Sequence, residues 1–200
     1  MRRVRLPDLL ASAEELTRLS VVLAHGGVAA VPTETFYGLA ADPMNERGVS
    51  RVFEIKGRND GKPLLVLFSE RSHLAALGIA ADSATLDRFL RIWPAPLTVV
   101  LPLREPIAAS RSAPALAVRM PAVPAVRELL TRVGPLTGTS ANRSGEPPLA
   151  DPDEVARALG AGIDVLVDGG PAPGGKPSTI VDATGREPLV VRAGAFAWPP

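Results

Sequence analysis

The spacing of apolar residues along the chain switches repeatedly between helix-like and strand-like patterns. Apolar residues recur at helical spacing after Ser12, which predicts a helix over 12–25 that opens with a Ser12–Glu15 capping box and ends at Gly26 and Gly27. The same criterion predicts helices over 47–55, 83–92, 123–132 and 152–160. Short apolar runs bounded by turn residues predict strands over 28–31, 64–68, 98–103, 116–119, 136–139, 165–168, 178–181 and 189–191.

The order of these elements predicts the fold class. Strands and helices alternate irregularly, and several strands follow one another with no helix between them. This pattern favours an α/β domain with a mixed sheet over a doubly wound parallel one. We expect a single domain over 1–194 and a loose tail over 195–200. The Gly-, Pro- and Ala-rich segment 169–175 predicts a mobile flap, because its composition has little to hold it rigid.

The composition excludes several functional classes. The 200 residues are 46% hydrophobic and 22% charged, as in ordinary globular proteins, and the net charge of +1 gives no general attraction to nucleic acid. The chain has no cysteine and two histidines, which excludes disulfides, thiolate catalysis and a histidine-rich metal site. No signal peptide and no apolar run of membrane-spanning length is evident. We therefore expect a cytoplasmic protein without a membrane contact.

Two polar segments are candidates for a phosphate site. The loop from Lys56 to Lys62 combines cations with glycines, and either a convergent cationic site or a solvated turn has this composition. The segment from Thr137 to Gly145 follows an apolar strand with several neutral hydrogen-bonding side chains. It fits a cradle for phosphate or carboxylate, and it equally fits an elaborate turn. A third segment over 170–176 begins like a Walker A loop, but Pro177 and the strand pattern after it exclude that motif.

Two further features concern an anionic or polar substrate. The polar and aromatic segment over 32–38 follows a predicted buried strand, and such loops frequently carry binding residues. Arg119 lies within an apolar segment, so if buried it needs an anionic partner. A substrate carboxylate and an internal salt bridge with an aspartate both satisfy that requirement.

The order of motifs along the chain resembles that of the YrdC family, the threonylcarbamoyl-AMP synthases. The resemblance covers residues 12–194 and is closest to the short form without an additional C-terminal domain. The motifs are Pro-Thr-Glu-Thr-Phe-Tyr-Gly-Leu (32–39), Lys-Gly-Arg (56–58), Lys-Pro-Leu (62–64), Trp-Pro-Ala-Pro-Leu-Thr (93–98), Val-Arg-Met-Pro (118–121), Thr-Ser-Ala-Asn-Arg-Ser-Gly (139–145), Pro-Ser-Thr-Ile-Val-Asp (177–182) and Val-Val-Arg-Ala-Gly (190–194).

The resemblance implies a fold and a reaction. The fold is a twisted mixed sheet flanked by helices, with a concave cationic cleft. The enzyme is a nucleotidyltransferase that joins L-threonine, bicarbonate and ATP into threonylcarbamoyl-AMP and pyrophosphate, with Mg²⁺ bound mainly through the phosphates. The product serves tRNA modification through downstream proteins that transfer the threonylcarbamoyl group to tRNA.

The resemblance also assigns roles to residues, and it assigns no metal ligand. Residues implied to contact ATP are Lys56, Arg58, Lys62, Ser140, Asn142 and Arg192, of which Lys56, Arg58, Ser140 and Asn142 are the implied catalytic set. Residues implied to hold threonine are Thr35, Arg119, Gly138 and Ser178.

This chain departs from the family pattern at Asn59, Leu67, Ala115 and Arg143. Leu67 stands where many members have a histidine near threonine, which affects the details expected for threonine binding. Two other interpretations compete with the synthase. One is a module that binds tRNA or double-stranded RNA on the same cationic face. The other is a YrdC-like paralog that acts without threonine-dependent synthesis.

Overall fold

The computed structural model describes residues 1–57 and 61–199. These residues form helices that pack on β-sheets. The helices are α1 (Leu6–Ala11), α2 (Ala13–Ala24), α3 (Glu46–Lys56), α4 (Arg71–Ala76), α5 (Ser83–Leu90), α6 (Pro124–Val133) and α7 (Pro152–Leu159). The strands are β1 (Arg2–Arg5), β2 (Ala29–Val31), β3 (Gly38–Ala40), β4 (Val66–Leu67), β5 (Leu97–Pro102), β6 (Ala115–Arg119), β7 (Leu136–Thr137), β8 (Thr139–Ser140), β9 (Val165–Asp168), β10 (Thr179–Asp182) and β11 (Leu189–Arg192).

The strands form two mixed sheets rather than the single sheet predicted. The first has the order β1-β9-β2-β3-β8, in which β1, β9 and β2 are parallel to one another and the β2–β3 and β3–β8 pairings are antiparallel. The second has the order β11-β10-β5-β6-β4-β7 and alternates antiparallel and parallel pairs. The mixed α/β class predicted from the sequence is therefore confirmed.

The core is divided between the two faces of the first sheet. Along β2, Ala29 and Val31 face a cluster formed with α1, α2 and α6, whereas Val28 and Ala30 face a larger cluster that includes the second sheet. This alternation follows from the two-residue period of a strand. Trp93 packs in the larger cluster with its ring 4.9 Å from that of Phe68, as a packing residue would.

Local side-chain chemistry sets the helix starts. Ser12 Oγ accepts a hydrogen bond from the Glu15 amide at 3.2 Å, which is one half of the predicted capping box. The other half differs, since the Ser12 amide donates to the Leu9 carbonyl and the Glu15 carboxylate pairs with Arg2 at 2.5 Å. The Ser12 amide, which was expected to donate to the Glu15 side chain, therefore donates to the last turn of α1.

Several elements were not predicted from the sequence, and each is short or polar. The strand β1 consists largely of arginines and is held by parallel pairing with β9 and by an ion pair from Arg3 to Asp168 at 2.8 Å. The strands β3 and β8 contain three and two residues, too few to show a periodic pattern.

Among the described residues, no helix is long and apolar enough to cross a membrane.

The C-terminal segment differs from the loose tail predicted for 195–200. The Thr179 hydroxyl donates to the Phe196 carbonyl at 2.6 Å, and the Ala195 amide donates to the Pro177 carbonyl at 2.9 Å. The Trp198 ring stacks on Phe89 with a centroid separation of 5.7 Å. The described part of this segment is therefore packed along β10 and α5.

Candidate active site

A cleft of about 830 Å³ lies where residues from both sheets meet. Its walls come from the loop after β2, from β3 and β8, and from β6, β10 and β11. It gathers a set of residues that the sequence assigned to the substrates, namely Thr35, Lys62, Arg119, Gly138, Ser140, Ser178 and Arg192. The cationic residues of this set stand on different walls, so they converge on a common space.

Gly138 is the point at which the chain passes from the second sheet to the first. It lies between β7, which pairs with β4, and β8, which pairs with β3. Its amide donates to the Leu65 carbonyl at 2.8 Å. A Cβ at this position would lie 2.5 Å from Leu67 Cγ, so glycine allows the backbone to approach the side chain beneath it.

Replacing Gly138 with alanine is expected to destabilise the protein by about 1–3 kcal/mol, because the added methyl group overpacks against Leu67. Urea unfolding measures this difference. Gly185→Ala is the matched control, since a Cβ at Gly185 meets no atom within 4 Å. Equal stabilities for the two variants would contradict this account of the crossing.

Lys56 and Asn142 are not among the residues that line the cleft: Lys56 lies beneath the loop that follows β8, and Asn142 is part of that loop. Lys56 Nζ donates to the Ser140 carbonyl at 2.7 Å and to the Asn142 carbonyl at 3.1 Å, and the residue is 5% exposed. Asn142 Oδ1 accepts from Ser140 Oγ at 2.6 Å, while Nδ2 donates to the Arg143 and Glu146 carbonyls. These contacts organise the loop, and direct ATP contacts from Lys56 and Asn142 stay predictions.

Two positions singled out in the sequence lie outside the described residues. Arg58, assigned to ATP and catalysis, and Asn59, a departure from the family pattern, both fall in the undescribed segment 58–60. Lys62, on the far side of that segment, does line the cleft.

Arg119 ends β6 at the base of the cleft and is buried, with 5% of its side chain exposed. Its Nε is 3.6 Å from Glu34 Oε1, and neither atom makes a hydrogen bond. Burial lowers the pKa of the Arg119 guanidinium, the Glu34 charge acts in the opposite direction, and Arg192 lowers the pKa further. The internal partner of Arg119 is thus Glu34 and not the aspartate considered above. Because the 3.6 Å contact is too long for a hydrogen bond, the guanidinium N–H groups can still donate to an anionic ligand.

Paired hydroxyl groups line the cleft beside Arg119. Ser178 Oγ lies 2.8 Å from Thr98 Oγ1, and Thr35 Oγ1 lies 3.1 Å from Thr33 Oγ1. Thr33 and Thr98 were not singled out from the sequence, although each stands in a motif that was. The Thr33 hydroxyl donates to the Phe36 carbonyl at 2.7 Å, so Thr35 is the donor within its pair, whereas in the Ser178–Thr98 pair either hydroxyl can donate.

Arg192 ends β11 and lies close to the Ser178 wall. Its Nη2 donates to the Ser178 carbonyl at 2.8 Å. Partial burial lowers the pKa of the Arg192 guanidinium, which still keeps its charge at neutral pH. Because one terminal nitrogen is fixed by a backbone carbonyl, the orientation of the guanidinium is set by β10 and β11 together.

The segment 169–175 is tethered to the cleft wall. The Tyr37 hydroxyl accepts from the Gly169 amide at 3.1 Å and donates to the Gly170 carbonyl at 2.8 Å. The Gly174 amide donates to the Thr35 carbonyl at 2.7 Å. Burial raises the pKa of Tyr37 to about 12, so the hydroxyl stays protonated at neutral pH. The segment touches the wall that carries Thr35, and its motion as a flap stays a prediction.

Comparison with known proteins places this cleft in a family. A family model named Sua5_yciO_yrdC, described as telomere recombination, matches residues 21–194. The chain belongs to the Sua5/YciO/YrdC family. The family predicted from the motif order is therefore confirmed.

Relatives within the family include named synthases. The chain is 33% identical over 193 residues to the threonylcarbamoyl-AMP synthase of Bacillus subtilis, covering 94% of this chain and 56% of that protein. It is 35% identical over 176 residues to the threonylcarbamoyl-AMP synthase of Coxiella burnetii, covering 84% of this chain and 91% of that protein.

A solved structure of P. abyssi Sua5 complexed with L-threonine superposes with a TM-score of 0.83 at 32% identity, covering 96% of this chain and 56% of that one. The chain thus spans about half the length of the B. subtilis and P. abyssi relatives.

Leu67, which was expected to affect the details of threonine binding, lies in the core. Leu67 is fully buried, belongs to the core cluster with α1, α2 and α6, and lies beneath Gly138. The aliphatic residue that lines the cleft is Leu65. Leu67 therefore supports the Gly138 crossing and is not among the residues that line the cleft.

Proposed function

We propose that this member of the Sua5/YrdC family is a threonylcarbamoyl-AMP synthase. One observation carries the proposal. Arg119, a buried arginine whose charge is only loosely matched by Glu34, lines the same cleft as Ser140 and Arg192. Such a group suits the carboxylate of an amino acid, while Lys62, Ser140 and Arg192 suit a nucleotide in the same cleft. The names of relatives at 33% and 35% identity over most of the chain support the same activity.

The proposed reaction has two bond-forming steps. The threonine amine attacks the carbon of bicarbonate, and water leaves to give the N-carboxylated amino acid. An oxygen of that carboxylate then attacks the α-phosphorus of ATP, and the bond from the α-phosphorus to the bridging oxygen of the β-phosphate breaks. The products are threonylcarbamoyl-AMP and pyrophosphate.

The cleft residues would stabilise the charge that this reaction moves. Negative charge grows on the phosphate oxygens and on the departing pyrophosphate in the second step. Lys62 and Arg192 supply positive charge, and the Ser140 hydroxyl, which donates its proton to Asn142 Oδ1, lines the same cleft. Preorganised groups of this kind accelerate the step by positioning and electrostatics, so no protein nucleophile is required.

Threonine would bind at the Arg119 end. The threonine carboxylate would pair with the Arg119 guanidinium. The hydroxyl pairs that contain Thr35 and Ser178 would hydrogen-bond to the other polar groups of threonine. Mg²⁺ would arrive with ATP as part of the substrate. The lining residues within the described ranges include no aspartate or glutamate, which fits a cation held by phosphate oxygens and water.

The test is a product assay with the purified protein, ATP, Mg²⁺, bicarbonate and L-threonine. Mass spectrometry is expected to detect threonylcarbamoyl-AMP, together with pyrophosphate, only when threonine is present. A threonine-independent product would favour the paralog interpretation. Tight, salt-dependent tRNA binding with no ATP turnover would favour the RNA-binding interpretation. Either result would refute the proposal.

The chemistry of the product indicates which class of reaction consumes it. A mixed anhydride of a carbamate and AMP is an activated acyl donor, so a group-transfer reaction must consume it. We propose that downstream proteins transfer the threonylcarbamoyl group to tRNA in the cytoplasm. A coupled assay with such a transferase and an unmodified tRNA tests this step.

A further inference from the structure

Glu34 and Arg119 form a buried pair of opposite charges that joins the two sheets. Glu34 stands in the loop after β2 of the first sheet, and Arg119 ends β6 of the second. The exposed fractions of the two side chains are 14% and 5%. Glu34 Oε2 accepts from the Ala122 amide at 3.2 Å, which fixes the carboxylate just beyond the end of β6.

The carboxylate of Glu34 lies behind the cleft rather than in it. Thr33 and Thr35, its neighbours on both sides, line the cleft together with Arg119, whereas Glu34 does not. Its other oxygen, Oε1, faces Arg119 Nε at 3.6 Å, and both atoms are shut off from solvent without a hydrogen bond. A substrate in the cleft would therefore meet the guanidinium and not the glutamate.

One edge of the Arg119 guanidinium faces Glu34, and Arg119 also lines the cleft. Its Nε faces Glu34, while the terminal nitrogens Nη1 and Nη2 make no hydrogen bond to any of the described residues. Arg192, a second cation on the same cleft, disfavours the charge on Arg119, and Glu34 is the carboxylate that offsets it. Without Glu34, the buried cation would face a like charge and would have no ion pair with any of the described residues.

We infer that Glu34 is the positioning residue for Arg119, holding the Nε edge of the guanidinium so that Nη1 and Nη2 are presented to the carboxylate of an amino-acid substrate. The inference deepens the proposed function and rests on it for the identity of the ligand. The described contacts make Glu34 a residue that acts through Arg119, not one that touches the substrate.

Glu34→Gln is the informative variant, because it removes the charge and keeps an oxygen that can accept from the Ala122 amide. Isothermal titration is expected to show L-threonine affinity reduced about 10- to 100-fold, with ATP affinity within about twofold of the parent protein. Affinity for L-threoninamide, which lacks the carboxylate, is expected to change little. Glu105→Gln, at an exposed position, is the matched control and is expected to bind all three ligands like the parent protein.

A second measurement reports on the pair without any ligand. The Arg119 Nε–H resonance in ¹⁵N-labelled protein is assigned by its loss in Arg119→Lys. Hydrogen exchange of this group is expected to be slow in the parent protein and at least about tenfold faster in Glu34→Gln. Unchanged exchange and unchanged threonine affinity would overturn the inference. Equal losses of threonine and ATP affinity would also overturn it, since they would indicate a general disturbance of the loop.

The two proposals fail in different ways. If the parent protein does not bind threonine or form product, the proposed function is refuted, and the exchange measurement alone decides whether Glu34 positions Arg119. If the parent protein binds threonine and Glu34→Gln binds it equally well, the positioning inference is refuted and the proposed function stands.

Discussion

Arg119→Ala is expected to reduce the affinity of the protein for L-threonine by about 100-fold or more, with ATP affinity changed by less than about threefold. Removal of one buried partner of a charged contact typically costs about 2–5 kcal/mol of binding energy. Arg119 is buried in the cleft and has terminal nitrogens to offer a carboxylate, whereas Lys62, Ser140 and Arg192 are the residues proposed to bind the phosphates. Calorimetric titration of each substrate separately measures both effects.

The same variant leaves Glu34 buried without its counter-charge, so a loss of stability is expected as well. Breaking a buried pair from one side costs about 3–5 kcal/mol. The double variant Arg119→Met with Glu34→Gln removes both charges and is expected to recover much of the stability but none of the threonine affinity. Arg104→Ala, at an exposed position, is the control and should leave both quantities unchanged. Equal losses of ATP and threonine affinity in the double variant would contradict the division of the cleft.

The fold was predictable where local patterns carry it. The buried strands β2, β5 and β9 are apolar runs between turn residues, and α2 has a regular apolar face. By contrast, β1 and β8 exist because distant strands pair with them, and a short or arginine-rich segment has no periodicity that shows this. The passage from the second sheet to the first at Gly138 requires close packing against Leu67, which composition does not reveal.

Many of the residues that line the cleft were predictable as a set of motifs, but the direction in which individual side chains point was not. The order of the motifs identified the residues that line the cleft, including Thr35, Arg119 and Ser178. Glu34 lies inside one of those motifs, yet only the structure shows that it turns behind the cleft toward Arg119. Likewise, Lys56 and Asn142 belong to signature motifs, and spacing cannot reveal that both side chains bind carbonyls of the loop after β8.

This placement of Lys56 leads to the second large expected effect. Lys56→Met is expected to lower the free energy of unfolding by about 3 kcal/mol, because the Ser140 and Asn142 carbonyls lose a buried charged donor. ATP affinity is expected to fall about 10- to 100-fold with it, since the Ser140 hydroxyl would no longer be held in place. Urea unfolding and calorimetric titration of ATP measure the two quantities on the same preparation.

Two further variants separate an organising role of Lys56 from a direct contact with phosphate. Asn142→Ala removes the other brace of the loop and the acceptor 3.3 Å from the Lys56 ammonium but keeps the lysine charge, so an organising role of Lys56 predicts a loss of ATP affinity in this variant too. Lys176→Met, at an exposed position, controls for the loss of one positive charge and is expected to be neutral in stability. Normal ATP binding by Asn142→Ala beside a large defect in Lys56→Met would show instead that the Lys56 ammonium acts on the phosphates themselves.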